Sequence, residues 1–299
     1  MEGVMIRGRD TAVTAVRHPT GEIVTRVQKL HRIYTGRLRK TPFIRGVIVL
    51  IESLVLGLSA LSWSANVALE EETRPNSEGK ERQAGKDSKN EISSLYIGGI
   101  MIISFAFGIA LFFLLPLFLT NLIDPYIESS FVFHLIEGVV RMAIFILYIK
   151  LISMMADIRR VFSFHGAEHK TINAYEHGVA LDPENIQKHS TAHARCGTAF
   201  LLSVMVLAIL VFSLVGQHAL WIMVLSRILL LPVIAALGYE VTQLGARNMN
   251  NPFTRILIAP GLWLQNLTTG EPDDSQVEVA VVALKEVLKQ EEAEVIQSA

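Results

Sequence analysis

Cysteine is almost absent from this chain: Cys196 stands alone. A single thiol rules out an internal disulfide and fits a reducing, cytosol-facing position. Charge is scarce as well. Asp, Glu, Lys and Arg make up 18% of the residues, where a soluble domain carries roughly a quarter. The net charge is −1, so nothing overall points to nucleic acid and no such partner is expected. The N-terminus has no apolar signal-peptide core, which leaves the apolar spans themselves to direct insertion. No internal repeat is visible. What is abundant is apolar: 51% of 299 residues are hydrophobic and the mean hydropathy is +0.41.

Four segments are long enough to cross a bilayer of about 30 Å, which takes about 20 apolar residues: 95–123, 131–155, 198–216 and 219–238. A fifth, 43–69, differs in character. Its polar residues Arg45, Glu52, Ser59 and Asn66 recur every seven positions and draw a stripe along one helix face. Such a helix can lie along the interface, re-enter the membrane, or span with its stripe against protein. Residues 1–42 carry nine Lys/Arg against three Asp/Glu, and the positive-inside rule assigns them to the cytoplasm. The loop 124–130 has two acids and no base and suits the outside. Four spans then leave both termini, 70–94 and 156–197 in the cytoplasm, with 43–69 interfacial or re-entrant.

The expected fold is therefore an all-α polytopic membrane protein. It has about four transmembrane helices, one interfacial or re-entrant helix, a small N-terminal β-hairpin and cytosolic helices. The organisation reads as an N-terminal hairpin segment (1–42), the striped helix (43–69) and a polar, disordered loop (70–94). A helix pair (95–155), His-rich cytosolic helices (156–197) and a second helix pair (198–240) follow. Last comes an interfacial segment with a C-terminal amphipathic helix (241–299). The hairpin rests on alternation in 11–16 and 22–27 around His18-Pro19-Thr20-Gly21. The apolar stretch 259–265 is too short to span and suits the interface, where Trp263 is favoured. In 275–290, Val277, Val281, Leu284 and Leu288 line one side of a helix.

The most informative motif is His165-Gly166-Ala167-Glu168-His169, of the form His-x-x-Glu-His. On a helix these positions share a face. His165 and His169 can grip one metal, and Glu168 points to the same side as a general base for metal-assisted hydrolysis. The helix is expected from about Val161 to His177, with Gly178 as its stop. Asp182-Pro183 opens a second helix, Asp as N-cap and Pro at the first turn. That helix is expected to bring His189, His193 and Cys196 to one face. A third ligand is then His193 first, Cys196 second and His189 less favoured. Glu176 lies seven residues past His169, about 10 Å along the helix; it and His189 are assigned to support around the ligands. Five histidines, one cysteine and Glu176 fall within 32 residues. The expected ion is Zn²⁺ or another divalent transition metal. The same ligands serve a purely structural metal, and the ordinary alternative for Glu168 is a salt bridge to a nearby Lys or Arg. Arg195 is a candidate for stabilising an anionic transition state.

Charges also fall inside the expected spans. His134, Glu137 and Arg141 share one face of the second span, and Glu137–Arg141 at i,i+4 is a natural ion pair. Arg227 and Glu240 lie in the fourth. Glu52 is a possible partner for Arg141 or Arg227, and Glu240 for the metal region. A proton or substrate path is one reading of these groups; a buried pair that fixes packing is the commoner one.

The segments 164–170, 193–198, 260–265 and 271–274, with 2–8, Arg45-Gly46 and Glu52-Ser53-Leu54, resemble the YqhQ-like family of bacterial membrane proteins over nearly the whole chain. That family is of unknown function, and the resemblance implies metal dependence without a substrate. The first functional expectation is a metal-dependent hydrolase at the cytosolic membrane face, with a membrane protein or lipid-linked substrate. The second is a non-enzymatic assembly, quality-control or complex-binding factor whose polar cluster staples helices, docking through helix 43–69 and the C-terminal helix. A transporter comes third.

Overall fold

The computed structural model describes residues 2–69, 94–193, 196–215, 220–248 and 251–298. The expected disordered loop 70–94 lies outside them except for Ser94. So do Arg195 and the side chain of Arg227.

Three antiparallel strands, β1 (Gly3–Arg7), β2 (Thr11–Arg17) and β3 (Ile23–Lys29), form a sheet in the order β1-β2-β3. The expected hairpin is β2–β3, paired from Thr11↔Lys29 to Arg17↔Ile23. Its turn needs Gly21, whose φ of 93° disfavours any residue with a Cβ. The sequence reading missed β1, which pairs with β2 from Gly3↔Val16 to Arg7↔Ala12. Only Val4 and Ile6 of its short run alternate inward, too brief a pattern to stand out.

A four-residue helix α1 (Arg32–Thr35) leads to α2 (Ile44–Leu69). Helix α3 (Ser94–Ile109) continues through a π turn at 110–114 into α4 (Leu115–Asn121). A wider turn loosens the i→i−4 ladder, and the Phe112 carbonyl there accepts a 3.0 Å bond from Arg141 Nε. Helix α5 (Ser130–Ile152) starts at the Ser129 cap and is followed, after a bend of 100°, by α6 (Ala156–Glu176). Helix α6 begins five residues earlier than the spacing suggests and stops, as expected, before Gly178 with its φ of 68°. Then come α7 (Pro183–Gln187), α8 (Gly197–Val215), α9 (Leu220–Arg247), α10 (Pro252–Thr268) and α11 (Asp274–Ser298).

The molecule has two packed parts. In one, α11 lies between the sheet and α6. Val4, Ile6, Val13 and Ala15 meet Val277, Ala280, Leu284 and Val287, which also meet Phe164, Ala167 and Ala174. Burying each such Val or Leu contributes about 1.5–3 kcal/mol. This corrects the idea of α11 as a docking surface: Val277, Val281, Leu284 and Leu288 line a face as expected, but that face is spent on the core. In the other part, α8 packs on α9, α10 and α5, and α2 packs on α9. Gly138 lets α5 approach α8, since a Cβ there would come within 2.5 Å of Ile209. The expected interfacial stretch 259–265 is part of α10 and rests on α8, with Trp263 half exposed.

Among the described residues two helical stretches are long and apolar enough to cross a membrane. They are Ile44–Ala68, with a mean hydropathy of 2.0, and Ile102–Asn121, with 2.6. The bent pair α5–α6 makes a third if it counts as one span. Phe200–Val215 and Leu229–Gly245 are apolar but shorter. Of the four expected spans, composition supports one among the described residues, 95–123, and a second, 131–155, if the bent pair is counted; α2, expected to be interfacial or re-entrant, is also apolar and long enough to span. These helices suggest membrane association.

Candidate metal centre

The i, i+3, i+4 spacing does on α6 what helix geometry dictates. His165, Glu168 and His169 line one wall of a cleft of about 810 Å³. The other walls are β1, α2 and the segment that enters α8, which carries His193, Cys196 and Thr198.

The ligand set differs from the first expectation. His165, His169 and Cys196 bring one donor atom each within 4.8 Å of one another. His193, preferred from the sequence, instead has its Nε2 3.4 Å from Glu176 Oε2, although its ring centroid is 5.8 Å from that of His169. His189 sits by His177, with ring centroids 5.1 Å apart. The reason is local. Helix α7 starts at Asp182 as read, its carboxylate accepting from Asn185 N at 3.0 Å, but it ends at Gln187. The four-and-three spacing of His189, His193 and Cys196 therefore never acts on a helix. The irregular chain swings Cys196 inward and turns His189 out.

Both imidazoles are oriented from behind. His165 Nδ1 lies 2.9 Å from the Thr268 carbonyl, and His169 Nδ1 lies 2.5 Å from the Thr191 carbonyl. A carbonyl can only accept, so each Nδ1 carries its proton, and Nε2 is the nitrogen each ring would offer to an ion. His165 Nε2 is 3.3 Å from Cys196 Sγ. Two donors on one tetrahedral zinc, at bond lengths near 2.0 and 2.3 Å, stand about 3.5 Å apart. The donor set and its spacing fit such an ion, which His165, His169 and Cys196 would hold.

The electrostatics agree with a thiolate. Burial opposes charge on Cys196, but hydrogen bonds and charge from His165 and His169 outweigh it and bring the thiol down to about 5. Burial likewise opposes the His165 imidazolium, but the Cys196 bond and charge, Glu168 and the Thr268 carbonyl raise it to about 9. Burial pushes the Glu168 carboxyl above its ordinary value, against the pull of His165 and His169. Its side chain reaches the cleft surface, yet protein surrounds it. Among the described residues its alternative salt bridge is not made. Lys170, the neighbouring base, is buried and bonds Gln187 and Glu271 instead. Among the described residues nothing hydrogen-bonds the Glu168 carboxylate.

Several supporting residues escaped the sequence reading. Gln265 of α10 is fully buried and clamps the His193 backbone, accepting from its N–H and donating to its carbonyl, both at 2.9 Å. Asn173 donates to the carbonyls of Ser190 and Ala192 at 2.8 and 3.1 Å. Gly166 is required by close approach: a Cβ there would meet the Gly270 carbonyl oxygen at 2.0 Å. Gly270 N in turn bonds the Phe162 carbonyl at 2.8 Å, which seats the turn carrying Thr268 against α6. The only advance signal was a glycine inside a helical motif.

The remaining expected groups are placed as follows. His134 Nδ1 is 3.2 Å from Glu137 Oε2, and Arg141 pairs with Glu137 as the spacing implies. Glu52 does not reach Arg141; it is buried and pairs with Arg7 at 3.0 Å and with Arg39. Both arginines sit on N-terminal elements that the helix pattern could not foresee. Glu240 does not face the metal region; it binds Arg45, at 2.8 Å from Nε, and accepts from Phe43 N.

A family model described as "Protein of unknown function (DUF1385)" matches residues 41–290. The "Uncharacterized protein YqhQ" of Bacillus subtilis (strain 168) is 36% identical over 293 residues, covering 97% of this chain and 91% of that protein. No solved structure matches the chain. Neither description carries an activity or a metal.

Proposed function

The chain belongs to the DUF1385 family of proteins of unknown function, and on that footing we propose that it is a zinc-dependent hydrolase working at the cytosolic face of the bacterial plasma membrane. The observation that carries this reading is the convergence of His165, His169 and Cys196 on one point beside an unpaired carboxylate, in an open cleft. His165 and His169, oriented by the Thr268 and Thr191 carbonyls, and Cys196 as thiolate would hold the ion. Bound zinc supplies Lewis acidity and lowers the pKa of water towards 7. Glu168 has no competing partner, and burial raises its proton affinity, so it can take a proton from water and return it to a leaving group.

The arrangement of α2 supports a surface position. Its striped face touches the N-terminal part: Glu52 holds Arg7, and Ser59 Oγ lies 3.4 Å from Gln28 Oε1. The opposite row, Ile51, Leu54, Val55, Leu58 and Leu61, is exposed. Where Glu52 and Ser59 engage the N-terminal part, α2 lies on the membrane rather than through it, with that row towards lipid. The basic segment 1–42 then stays on the cytoplasmic side.

Elemental analysis of detergent-purified protein tests the reading. Zinc should approach one ion per chain, disappear in His165→Ala and Cys196→Ala, and persist in Glu168→Gln. Metal-free protein from chelator-free buffers, or an ion whose positions are all filled by side chains, would overturn it. A non-enzymatic complex-binding role would then lead, with the exposed row of α2 as its contact.

A further inference from the structure

The cleft has a wall that the metal centre does not explain. All five residues of β1 line it, and β1 is the edge of the sheet. Antiparallel strands alternate between pairs that exchange hydrogen bonds and pairs that do not. The bonds Arg17 N to Glu2 O and Gly8 N to Thr11 O fix which is which. In this register the even residues Glu2, Val4, Ile6 and Gly8 bond to β2. The N–H and C=O groups of Gly3, Met5 and Arg7 therefore point away from β2. Among the described residues none of them has a hydrogen-bond partner. An edge of this kind is ordinarily covered, charged or broken; here it runs along a cleft for about 13 Å, at about 3.3 Å per residue.

The cleft also continues. A second cavity of about 320 Å³ shares Gly3, Val4, Met5, Gly57, Val161 and Phe164 with the first. A Cβ on Gly57 would meet nothing within 4 Å, so α2 leaves the passage clear there. The far end contains Ser64, buried to 6% exposure, whose hydroxyl has no partner. The trough is thus apolar along its floor, carries a ladder of free backbone groups on one side, and ends on a buried hydroxyl.

We propose that this trough binds an extended polypeptide as a fourth strand on β1. The strand would lay one of its peptide bonds beside His165, Glu168, His169 and Cys196 for hydrolysis. The cleavage part rests on the hydrolase reading above; the docking part does not. Free N–H and C=O groups repeating every second residue are matched by another peptide backbone and by no lipid. In the step itself, the oxygen of water bonds to the peptide carbonyl carbon and the C–N bond breaks. The proton that Glu168 takes from the water goes to the departing amine. The products are a carboxylate and an amine, and no oxidant or further reactant is needed.

The test uses full-length, zinc-loaded protein in detergent with a library of unstructured peptides. Vesicles of phosphatidylethanolamine and phosphatidylglycerol serve as the lipid probe. Wild type should cut members of the library, and Glu168→Gln should bind them uncut. On the best binder, N-methylation of single backbone positions should weaken binding about tenfold at every second residue and leave the positions between unchanged, the loss of one hydrogen bond each. Met5→Pro removes an outward N–H that no ladder bond uses, a position where edge strands accept proline. It should keep its zinc and lose peptide binding about tenfold. Zinc-loaded protein that neither binds nor cuts peptides, hydrolysis of vesicle lipid alone, or N-methyl effects without a two-residue period would each overturn this inference while sparing the metal centre. Periodic peptide binding without zinc would uphold the docking and overturn the hydrolase reading.

Discussion

Two consecutive helices carry the same His-x-x-Glu spacing and use it in opposite ways. On α5, His134 and Glu137 bond each other at 3.2 Å, and Arg141 completes the cluster. On α6, His165 turns its Nδ1 to the Thr268 carbonyl at 2.9 Å, and among the described residues nothing hydrogen-bonds Glu168. The helix geometry is common to both; the neighbours differ. Helix α5 offers a cation one turn further on and apolar surroundings, so Glu137 is engaged by His134 and Arg141 of its own helix. Helix α6 is met by turns from α10 and α7 whose backbone carbonyls compete for the imidazoles. A spacing thus places groups on a face, and the packing decides whether they satisfy one another or stay available.

The contrast can be broken first at its closed side. Glu137→Gln removes the carboxylate that Arg141 and His134 bond inside the protein and should cost about 3–5 kcal/mol, read as denaturant unfolding in detergent. A loss no larger than for a surface carboxylate would remove the claim that Glu137 is committed to its own helix. Next comes the turn that opens the other site. Gly166→Ala forces the Gly270 carbonyl away from α6 and should cost about 1–3 kcal/mol, with zinc content falling as Thr268 leaves His165. Unchanged melting and zinc would show that the approach is not needed. Gln265→Leu removes two bonds to the His193 backbone and should cost about 1–3 kcal/mol. Its distinguishing readout is faster proteolysis within 188–196 while the rest of the chain stays protected.

Acidity probes the open site further. In metal-free protein the Cys196 thiol is held down to about 5, so its thiolate contributes stability above its ordinary value, lost as pH falls through about 5. His165, raised to about 9, contributes below its ordinary value, and that is lost as pH rises through about 9. Thiolate ultraviolet absorbance should therefore persist down to about pH 5; titration near the ordinary thiol value would contradict the contact. The smallest effect is expected at Glu168 itself. Glu168→Gln should change stability by no more than about 0.5 kcal/mol, because no bond to it is lost. A large destabilisation would mean that its carboxylate is structural after all.

What could be read in advance follows the same division. Periodicity within one element was legible: the face of His165, Glu168 and His169, the Gly178 stop, the Asp182 cap and the Glu137–Arg141 pair all depend on local geometry. Partners from distant chain were not. Glu52 finds Arg7 and Arg39, and Glu240 finds Arg45, because strands and turns far away in sequence bring them. Among the described residues Cys196 rather than His193 groups with His165 and His169, and α7, five residues long, ends at Gln187, too early to carry a helical phase to His193. The membrane reading was legible in composition, where two or three helices are apolar enough to span.

One packing feature governs the order of assembly. Val4, Ile6 and Val13 share their core with Val277, Leu284 and Val287, and Arg9 N bonds Glu291 Oε1 at 2.7 Å. Nearly the whole chain separates these partners, a very non-local closure. During synthesis the first strands must wait, with one face uncovered, until the last helix leaves the ribosome. The wall of the cleft and the seat of α6 therefore appear together and late, so a nascent or truncated chain would hold its histidines before it holds a site.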